Sequence, residues 1–573
     1  MSSIDWILLV VTLLFITFYG IYKNRGDKDI DGYLLGDKSL PWYHVGFSVM
    51  ATQASAITFL SAPGQAFTDG MRFVQFYFGL PLAMIVLCVT FVPIFHRLKV
   101  YTAYEYLETR FDGRVRVFTA MLFLIQRGLS TGISIYAPSL IMSAIFGREI
   151  FWTNILMGGL VLTYTVVGGT KAISHTHLQQ MIIMTCSLFF AGYLVIDLLP
   201  ADMGLFEALQ VAGKADKLNA IDFDFNPKEK YNVWSGLLAG FFLQLSYFGT
   251  DQSQVSRYLT GSSIKQSRIG LLMNGMLKIP MQFMILLLGA IVFVFYMFNT
   301  TPIFFNEAET ERLEQSEYAA DFKELKVQHT ALVDQRIKVA NNLKLGVQSD
   351  NESIISEAQD ALANVNGEIA ILRTQVTDLI TLNNPDGDAN DINYIFLRFI
   401  LDNLPQGLVG LLVAIIFTAS MGSIASAYNS LAATSVIDIY RKTKKTALSK
   451  PHELAASKYA TVFWGIFCIF VAYYAHRLGS SMIEIVNILG SWFYGVILGI
   501  FVVAFYFKRI GANATFIAAC ISQVLVIYIW YADWVAYLWL NPIGCILVVL
   551  LGFIAQLFIG IEPPKKENTD VRK

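Results

Sequence analysis

The chain has 573 residues, of which 55% are hydrophobic and only 15% are charged, and its mean hydropathy is +0.53. This balance excludes a soluble globular protein of ordinary composition and indicates an integral membrane protein. The net charge of -1 offers no overall attraction to nucleic acid, so no nucleic-acid partner is expected. The apolar segments are continuous rather than alternating, which favours bundled helices over a β-barrel.

About thirteen membrane-spanning helices are predicted from apolar segments of roughly 20 residues. The first, 4–22, lacks the basic start and the small-residue cleavage site of a signal peptide, so we expect it in the mature protein. The others follow in chain order: 41–66, 72–96, 116–146, 151–167, 177–198, 234–256, 271–298, 395–436, 456–475, 481–507, 512–531 and 536–560. All five cysteines lie inside spans without a close pair, which excludes disulfide and zinc sites.

Lysine and arginine residues cluster in alternate loops between these spans. The clusters within 23–38, 97–116 and 441–445 illustrate the pattern, and loops of this kind face the cytoplasm. We therefore expect a multi-pass protein of the bacterial inner or eukaryotic plasma membrane. Its N-terminus is predicted outside and its C-terminus inside, so that the long connections 199–233 and 299–394 are extracytoplasmic.

A charged segment interrupts the membrane pattern between about Glu307 and Ile380. Apolar residues recur in it at helical spacing on both sides of a polar turn at 346–353. This pattern predicts an antiparallel helical hairpin outside the membrane. The favoured interpretation is a structural elaboration that packs on itself or on the membrane part, and the alternative is an arm that docks a protein partner.

Two predicted spans carry polar side chains where apolar ones are normal. The first is GFSVMATQASAITFLSAPG at 46–64, and the second is FTASMGSIASAYNS at 417–430. Unpaired polar groups in hydrocarbon cost several kcal/mol each, so such spans must face a bundle interior, a wet cavity or a bound solute. Small residues also allow close helix packing, but hydroxyls and freed carbonyls are ligands for sodium. A transport site is therefore expected between these two spans.

Several motifs taken together resemble the sodium:solute symporter family. They are PWYHVGFSVMATQASAITFL, YTAYEYLETRF, GGTKA, DFDFNP, GTDQSQVSRYL and SIASAYNSLAATSVIDIYRK, and the resemblance covers nearly all of the chain except the insertion at 307–380. It implies an all-α integral membrane protein with a five-helix inverted-repeat core and a broken first core helix.

The resemblance also divides the chain into segments. A leading transmembrane helix and cytoplasmic loop occupy 1–40, and C-terminal transmembrane helices and a cytoplasmic tail occupy 508–560 and 561–573. Between them lie the first repeat at 41–198, an extracytoplasmic loop at 199–233, and a second repeat at 234–507 that contains the hairpin at 307–380.

A sodium site is implied by position within the family. The ligands would be the backbone carbonyls of Ala51 and Ala54 in the broken helix, together with Ala419, Gly422 and Ser423 in the ninth span. The glycine departs from the family, because many members carry a hydroxyl residue there. The neighbouring serine at 420, or water, would then complete the shell.

A second departure stands at His177, where many members carry the aspartate of a second sodium position. A histidine does not normally ligate sodium, so a single coupled sodium is the simplest hypothesis. A titrating histidine that couples protons and a loop histidine with hydrogen bonds only are the alternatives, since the unperturbed pKa of about 6.5 lies near working pH.

Solute-binding positions are carried over from the sugar-transporting branch of the family. They share polar or aromatic side chains, and they are Gln53, Thr58, Tyr77, Gln244, Tyr247, Lys278 and Asn487. Tyr247 would cover the solute from the cytoplasmic side and Phe76 from the outer side. The amides and hydroxyls favour a sugar or polyol.

The charge of this site suggests an alternative solute. Tyr77 replaces a carboxylate of the sugar branch, so Lys278 would favour an anion unless Asp251 pairs with it. SAITFLSAPGQAF, YTAYEYLE and IYAPSL also look closer to the branch that moves iodide, monocarboxylates and vitamins. A sodium-coupled transporter of a small organic anion is therefore the alternative.

Other classes of protein are less compatible with the sequence. A Walker loop, zinc-ligand spacing, paired membrane acids and a serine-triad signature are all absent from it, so no enzyme is expected. A solute sensor built on a transporter fold usually carries an added signalling domain, whereas this chain ends thirteen residues after Gly560. Import of a small solute with sodium by alternating access is the predicted function.

Overall fold

The structure, a computed structural model, describes residues 2–23, 39–98, 100–385, 387–443, 449–475 and 481–559. Within these residues the regular structure is helical, as predicted for an all-α membrane protein. Nine described helices are long and apolar enough to cross a membrane, and the shorter apolar segments Ser3–Phe15 and Ile150–Thr163 add to them. The total of thirteen spans stays a prediction.

The helices of the first half follow one another with short connections. In order they are α1 Ser3–Lys23, α2 Trp42–Gln53, α3 Ala56–Asp69, a 3-10 helix Gly70–Tyr77, α4 Leu80–Val86, a π-helical segment Leu87–Phe91, α5 Val92–Leu98, α6 Glu105–Arg110, α7 Gly113–Phe146, α8 Ile150–Asp197, α9 Leu205–Lys214, a π-helical segment Ser235–Ala239, α10 Gly240–Thr250, α11 Gln252–Leu259 and α12 Ile264–Phe298.

The second half begins with the charged insertion and returns to apolar helices. Its elements are α13 Glu307–Glu314, α14 Ala319–Gln348, α15 Glu352–Asn383, α16 Ile392–Asn403, α17 Leu408–Thr434, a π-helical segment Ser435–Tyr440, α18 Arg441–Thr443, α19 Lys450–Tyr474, α20 Met482–Tyr506, α21 Ala512–Tyr531, a 3-10 helix Tyr537–Trp539 and α22 Leu540–Ile559.

The second predicted span is interrupted in its middle. Helix α2 ends at Gln53 and α3 begins at Ala56, so Ala54 and Ser55 connect the two helices. The backbone of both is extended, with φ -85° and ψ 94° at Ala54 and φ -107° and ψ -178° at Ser55. This interruption confirms the expected broken helix at the start of the core.

A second interruption separates α10 from α11 at Asp251, and it was not predicted. The residue has φ -78° and ψ 118°, and its carboxylate caps α11 by accepting a hydrogen bond from the Ser253 N–H at 2.9 Å. The sequence did carry a signal, because aspartate is a preferred N-cap residue. The predicted repeats at 41–198 and 234–507 each contain a broken helix near their start, and the repeat symmetry itself stays a prediction.

The predicted loop between the fifth and sixth spans is helical in the structure. Helix α8 runs continuously over 48 residues, which is about 72 Å and far more than one crossing of a 30 Å hydrocarbon layer requires. The sequence predicts that the fifth span ends before the glycine pair Gly168 and Gly169. Two glycines weaken a helix without breaking it, and this segment contains no proline.

Helix α17 lies at the centre of the bundle. In the most apolar 18-residue stretch of the span Leu408–Thr443, which contains α17, 89% is buried inside the protein. The corresponding shares are 22% in Pro451–Tyr474 and 28% in Tyr537–Ile559. The alanines, glycines and serines of α17 allow this close approach of neighbouring helices. The apolar side chains of the two outer helices face away from the protein, where they suit contact with lipid.

The insertion forms the predicted hairpin. Helices α14 and α15 pack against each other, and the hairpin contacts the rest of the chain through apolar side chains such as Leu343 and through ion pairs. Lys344 pairs with Asp202 at 2.9 Å, and Arg373 pairs with Asp391 at 2.7 Å. These contacts favour the structural interpretation of the hairpin, and a protein partner stays a prediction.

Candidate functional site

The break between α2 and α3 frees backbone oxygens that a continuous helix would use. The Ala54 N–H still donates to the Met50 oxygen at 2.8 Å, and the Thr58 N–H donates to the Ser55 oxygen at 3.0 Å. Among the described residues, no backbone hydrogen bond outside the helices ends on the carbonyl oxygen of Ala51 or Ala54. Both residues are buried, so these oxygens are suited to a cation.

The remaining predicted sodium ligands lie on α17, which packs against both halves of the broken helix. The Ser423 hydroxyl donates to the Ser420 oxygen at 3.1 Å, so its own oxygen keeps lone pairs for a cation. Ala419 is buried beside it on the same helix. The donors therefore fit a sodium ion, and the ligand set as a whole stays a prediction.

Gly422 lies directly against His177 of α8. A Cβ atom at position 422 would lie 2.8 Å from the His177 Nε2 atom and 2.6 Å from the Gln180 Oε1 atom. The other ring nitrogen lies 3.0 Å from the Ser48 hydroxyl of α2. His177 is fully buried, so it is not a loop histidine near the surface. The two residues that depart from the family thus contact each other, and the imidazole occupies the space that a side chain at 422 would need.

The charge beside His177 is positive. Arg257 of α11 is fully buried and interacts electrostatically with the imidazole. Arg257 therefore lies inside the helix bundle.

Lys278 is the most unusual of the predicted solute-binding residues. Its side chain is fully buried on α12, and its Nζ atom lies 5.6 Å from the centre of the Tyr77 ring. Within the described part of the chain this ammonium has no hydrogen-bond or acidic partner. An unpaired buried charge is costly, and such a group indicates that a ligand supplies the missing partner.

Asp251 is occupied elsewhere and does not neutralise Lys278. Its carboxylate accepts hydrogen bonds from Arg127 of α7 and from the Tyr494 hydroxyl, the latter at 2.8 Å. The same guanidinium lies 5.5 Å from the centre of the Tyr247 ring. Sequence reasoning missed Arg127, although an arginine inside the apolar span 116–146 was a detectable signal.

Three further predicted residues surround the break. The Thr58 hydroxyl lies 3.5 Å from the Gln53 oxygen across the break, and the Gln53 side-chain oxygen has no partner among the described residues. Asn487 is half-buried on α20. The start of that helix touches α3, because the Ile483 N–H donates to the Ser61 hydroxyl at 3.2 Å.

The remaining predicted residues are one buried amide and two aromatic rings. Gln244 of α10 is fully buried, and in the described structure neither its nitrogen nor its oxygen has a partner. Phe76 stacks on Phe73 with ring centres 5.4 Å apart, and the Tyr247 hydroxyl accepts from Gln254 at 2.6 Å. The gating roles of the two rings stay predictions.

Comparison with known proteins identifies relatives across most of the chain. The family described as "Sodium:solute symporter family" matches residues 33–326 and 370–521, and the unmatched part between them lies within the hairpin. The human sodium/iodide cotransporter is 30% identical over 299 residues, which are 51% of this chain and 45% of that protein. Sodium-coupled monocarboxylate transporter 1 of Xenopus laevis is 33% identical over 276 residues, which are 47% of this chain and 43% of that protein.

These alignments span less than half the length of the two relatives. A solved structure of a Na+-coupled sialic acid symporter, in a substrate-bound outward-open state, covers 98% of this chain and 100% of its own with a TM-score of 0.74. Its sequence identity is 21%, so this likeness concerns the fold. The family and the relatives are transporters and not enzymes, as predicted. With its apolar helices, the chain is a multi-pass membrane protein.

The contact between Gly422 and His177 generates a stability prediction. In Gly422→Ala the new methyl group overlaps the imidazole, and overpacking of this kind costs about 1–3 kcal/mol. We expect the apparent melting temperature of the purified protein to fall. It should recover in part in Gly422→Ala combined with His177→Ala, because the smaller side chain removes the overlap with the imidazole while the contact with Gln180 remains.

Gly192 provides the matched control for this measurement, because a Cβ atom there meets nothing within 4 Å. Gly192→Ala should not lower the melting temperature, and the higher helix propensity of alanine should raise it slightly. A double variant that is no more stable than Gly422→Ala alone would show that the two positions are not coupled.

Proposed function

Because the chain belongs to the sodium:solute symporter family, we propose that it couples sodium entry to the uptake of a small organic anion that carries a carboxylate. The observation that carries this proposal is the buried ammonium of Lys278, which has no acidic partner in the described structure. Tyr77 faces it with an aromatic ring in place of a carboxylate. A solute carboxylate would supply the missing negative charge.

The energetics support an anion over a neutral solute. Removing an ammonium from water costs several kcal/mol, and an opposite charge within hydrogen-bond distance recovers much of that cost. Asp251 cannot serve, since Arg127 already holds its carboxylate. The two relatives are named for iodide and for monocarboxylates, which are both anions.

A sugar or polyol is the second candidate solute. The observation in its favour is Gln244, whose buried amide offers both a donor and an acceptor without a partner among the described residues. Paired donors and acceptors are what a hydroxyl group requires. A neutral polyol would leave the ammonium of Lys278 unpaired, and for that reason we place it second.

Sodium would couple transport by holding the broken helix. Sodium is a hard cation that binds oxygen ligands. The backbone oxygens of Ala51 and Ala54 would supply two of them, and the Ser423 hydroxyl of α17 would supply a third. An ion bound between these helices would stabilise the arrangement that accepts solute, and its loss on the other side would release both. This is alternating access around a broken helix.

We further propose that one sodium ion moves in each cycle. The family resemblance implies that His177 stands at the second sodium position, and an imidazole does not normally ligate sodium; here its ring nitrogen lies 3.0 Å from the Ser48 hydroxyl instead. One sodium ion and one monovalent carboxylate together carry no net charge. The membrane potential would then add nothing to accumulation, which would depend on the two concentration gradients.

Transport of a panel of solutes into proteoliposomes tests the proposed substrate class. With an inward sodium gradient we expect uptake of lactate and other monocarboxylates. Lys278→Met should lower that uptake at least about tenfold, because the anion loses its buried counter-charge. The control is Lys217→Met. This half-buried lysine lies in the segment before α10, and it already has a partner because it donates to the backbone oxygen of Thr68.

Three results would contradict this assignment. Sodium-driven uptake of sugars without uptake of carboxylates favours the second candidate. Uptake that ignores the sodium gradient rejects symport. Binding of a solute without any flux indicates a sensor.

The sodium site is tested by Ser423→Ala. We expect the sodium concentration that gives half-maximal uptake to rise about tenfold, because one of the few oxygen ligands is lost. Thr418→Val on the same helix is the control, since that hydroxyl donates to the Ala414 oxygen and is not a predicted ligand. Unchanged sodium dependence of Ser423→Ala would reject the assignment.

The stoichiometry is tested by imposing a membrane potential on sodium-driven lactate uptake. With one sodium ion per carboxylate we expect the same accumulation at zero potential and at an inside-negative potential. Two sodium ions would move one net charge, and about 100 mV would then add roughly 2.3 kcal/mol of driving force. Stronger accumulation at negative potential would therefore contradict the single-sodium proposal.

A further inference from the structure

Gln282 shares an unusual property with Gln244. In the part of the chain that the structure describes, these are the two glutamines whose amide nitrogen and oxygen are both buried without a hydrogen-bond partner. Both side chains are fully inaccessible to solvent. Gln244 is a predicted solute-binding residue, whereas nothing assigns a role to Gln282. Leaving a buried polar group unpaired costs free energy, so each of these amides indicates a missing partner.

The position of Gln282 on α12 places it next to Lys278. Residues four apart on a helix lie on the same face, with about 5–6 Å between their Cβ atoms. Asn274 lies one further turn away on this face, and its side-chain oxygen also lacks a partner among the described residues. Helix α12 therefore carries a buried polar stripe of three side chains, with the ammonium at its centre.

The neighbours of this face show which elements pack near Gln282. Gly275 and Gly289 are seven residues before and after it, so they share its face. A Cβ atom at Gly275 would lie 2.8 Å from the Met84 Cγ atom of α4, and one at Gly289 would clash with the Pro63 oxygen of α3. Gln282 thus lies between the second half of the broken helix and α4, the two elements that the 3-10 helix bearing Tyr77 connects.

We propose that Gln282 is a specificity-determining residue that hydrogen-bonds a hydroxyl or carbonyl group adjacent to the carboxylate held by Lys278. This inference rests on the proposed function and names the substrate class more closely. The ammonium binds the carboxylate, and the amide one turn away binds the neighbouring polar group as donor or acceptor. The favoured solutes are then hydroxy acids and oxo acids rather than plain alkanoates.

The amide explains why a polar solute is selected. A site built around a hydrogen-bonding group rejects an analogue that lacks the matching hydroxyl, because the buried amide is left unpaired again. An apolar side chain at 282 would bind both analogues alike. The selectivity between a hydroxy acid and its deoxy analogue is therefore the property that reports on this residue.

The test compares lactate with propionate, which differ by one hydroxyl group. Isothermal titration of the detergent-purified full-length protein at saturating sodium measures both dissociation constants without interference from passive membrane permeation. For the wild type we expect lactate to bind about tenfold more tightly. In Gln282→Met the lactate affinity should fall about tenfold, while the propionate affinity changes less than about twofold.

Two further variants complete the comparison. Gln282→Asn keeps a shortened amide and should retain part of the preference for lactate, which also supplies the test if the methionine variant does not fold. Gln523→Met removes a glutamine on α21 whose amide already donates to the Trp492 oxygen at 2.8 Å, and it should leave the preference intact.

The outcomes separate this inference from the function on which it rests. Wild-type protein that binds both acids equally, or Gln282 variants that weaken both acids equally or neither, overturns the role of Gln282 alone. Wild-type protein that binds neither acid in the presence of sodium overturns the proposed carboxylate transport and this inference together.

Discussion

A broken helix inside a membrane imposes the constraint on which the rest of this structure depends. Backbone groups released by a break find no water in hydrocarbon, so something else must satisfy them. At the first break, no backbone hydrogen bond outside the helices ends on the carbonyl oxygen of Ala51 or Ala54 among the described residues, and a cation is the proposed partner of these oxygens. At the second break the Ser253 N–H donates to the Asp251 carboxylate, which caps α11 from within the chain. One break is thus left open for a ligand and the other is closed by the protein.

The sequence predicts this architecture well where the signal is compositional and local. The resemblance to the symporter family predicted the first break, in the span where polar residues had already predicted a transport site. The change from apolar to charged helical periodicity predicted the hairpin. The second break depended on a single capping residue, Asp251, and was missed for that reason. The continuity of α8 was also missed, since a pair of glycines was taken for a turn and nothing local distinguishes a weakened helix from a broken one.

The candidate site was predictable as a set of residues but not as a set of pairs. Position within the family identified Gly422 and His177 separately, and each looked like a lost ligand. Only the three-dimensional contact shows that one change makes room for the other. The partner of Asp251 was likewise not predictable. The sequence contains Arg127, Arg257 and Lys278 as basic residues of the spans, and only the packing shows that Asp251 pairs with Arg127. Contacts between distant parts of a chain leave no trace in periodicity or spacing.

Charge bookkeeping inside the bundle links these observations to the nature of the solute. Arg127 and Asp251 neutralise each other, whereas the ammonium of Lys278 in the predicted solute site has no acidic partner among the described residues. Adding sodium and a neutral sugar would place two unbalanced positive charges in a region shielded from water, and their repulsion grows as the dielectric constant falls. Adding sodium and a carboxylate leaves the net charge of the loaded site equal to that of the empty site. Because the loaded and the empty transporter then carry the same charge, both can change conformation at similar electrostatic cost. This equality is the physical reason to expect that solute and ion travel together.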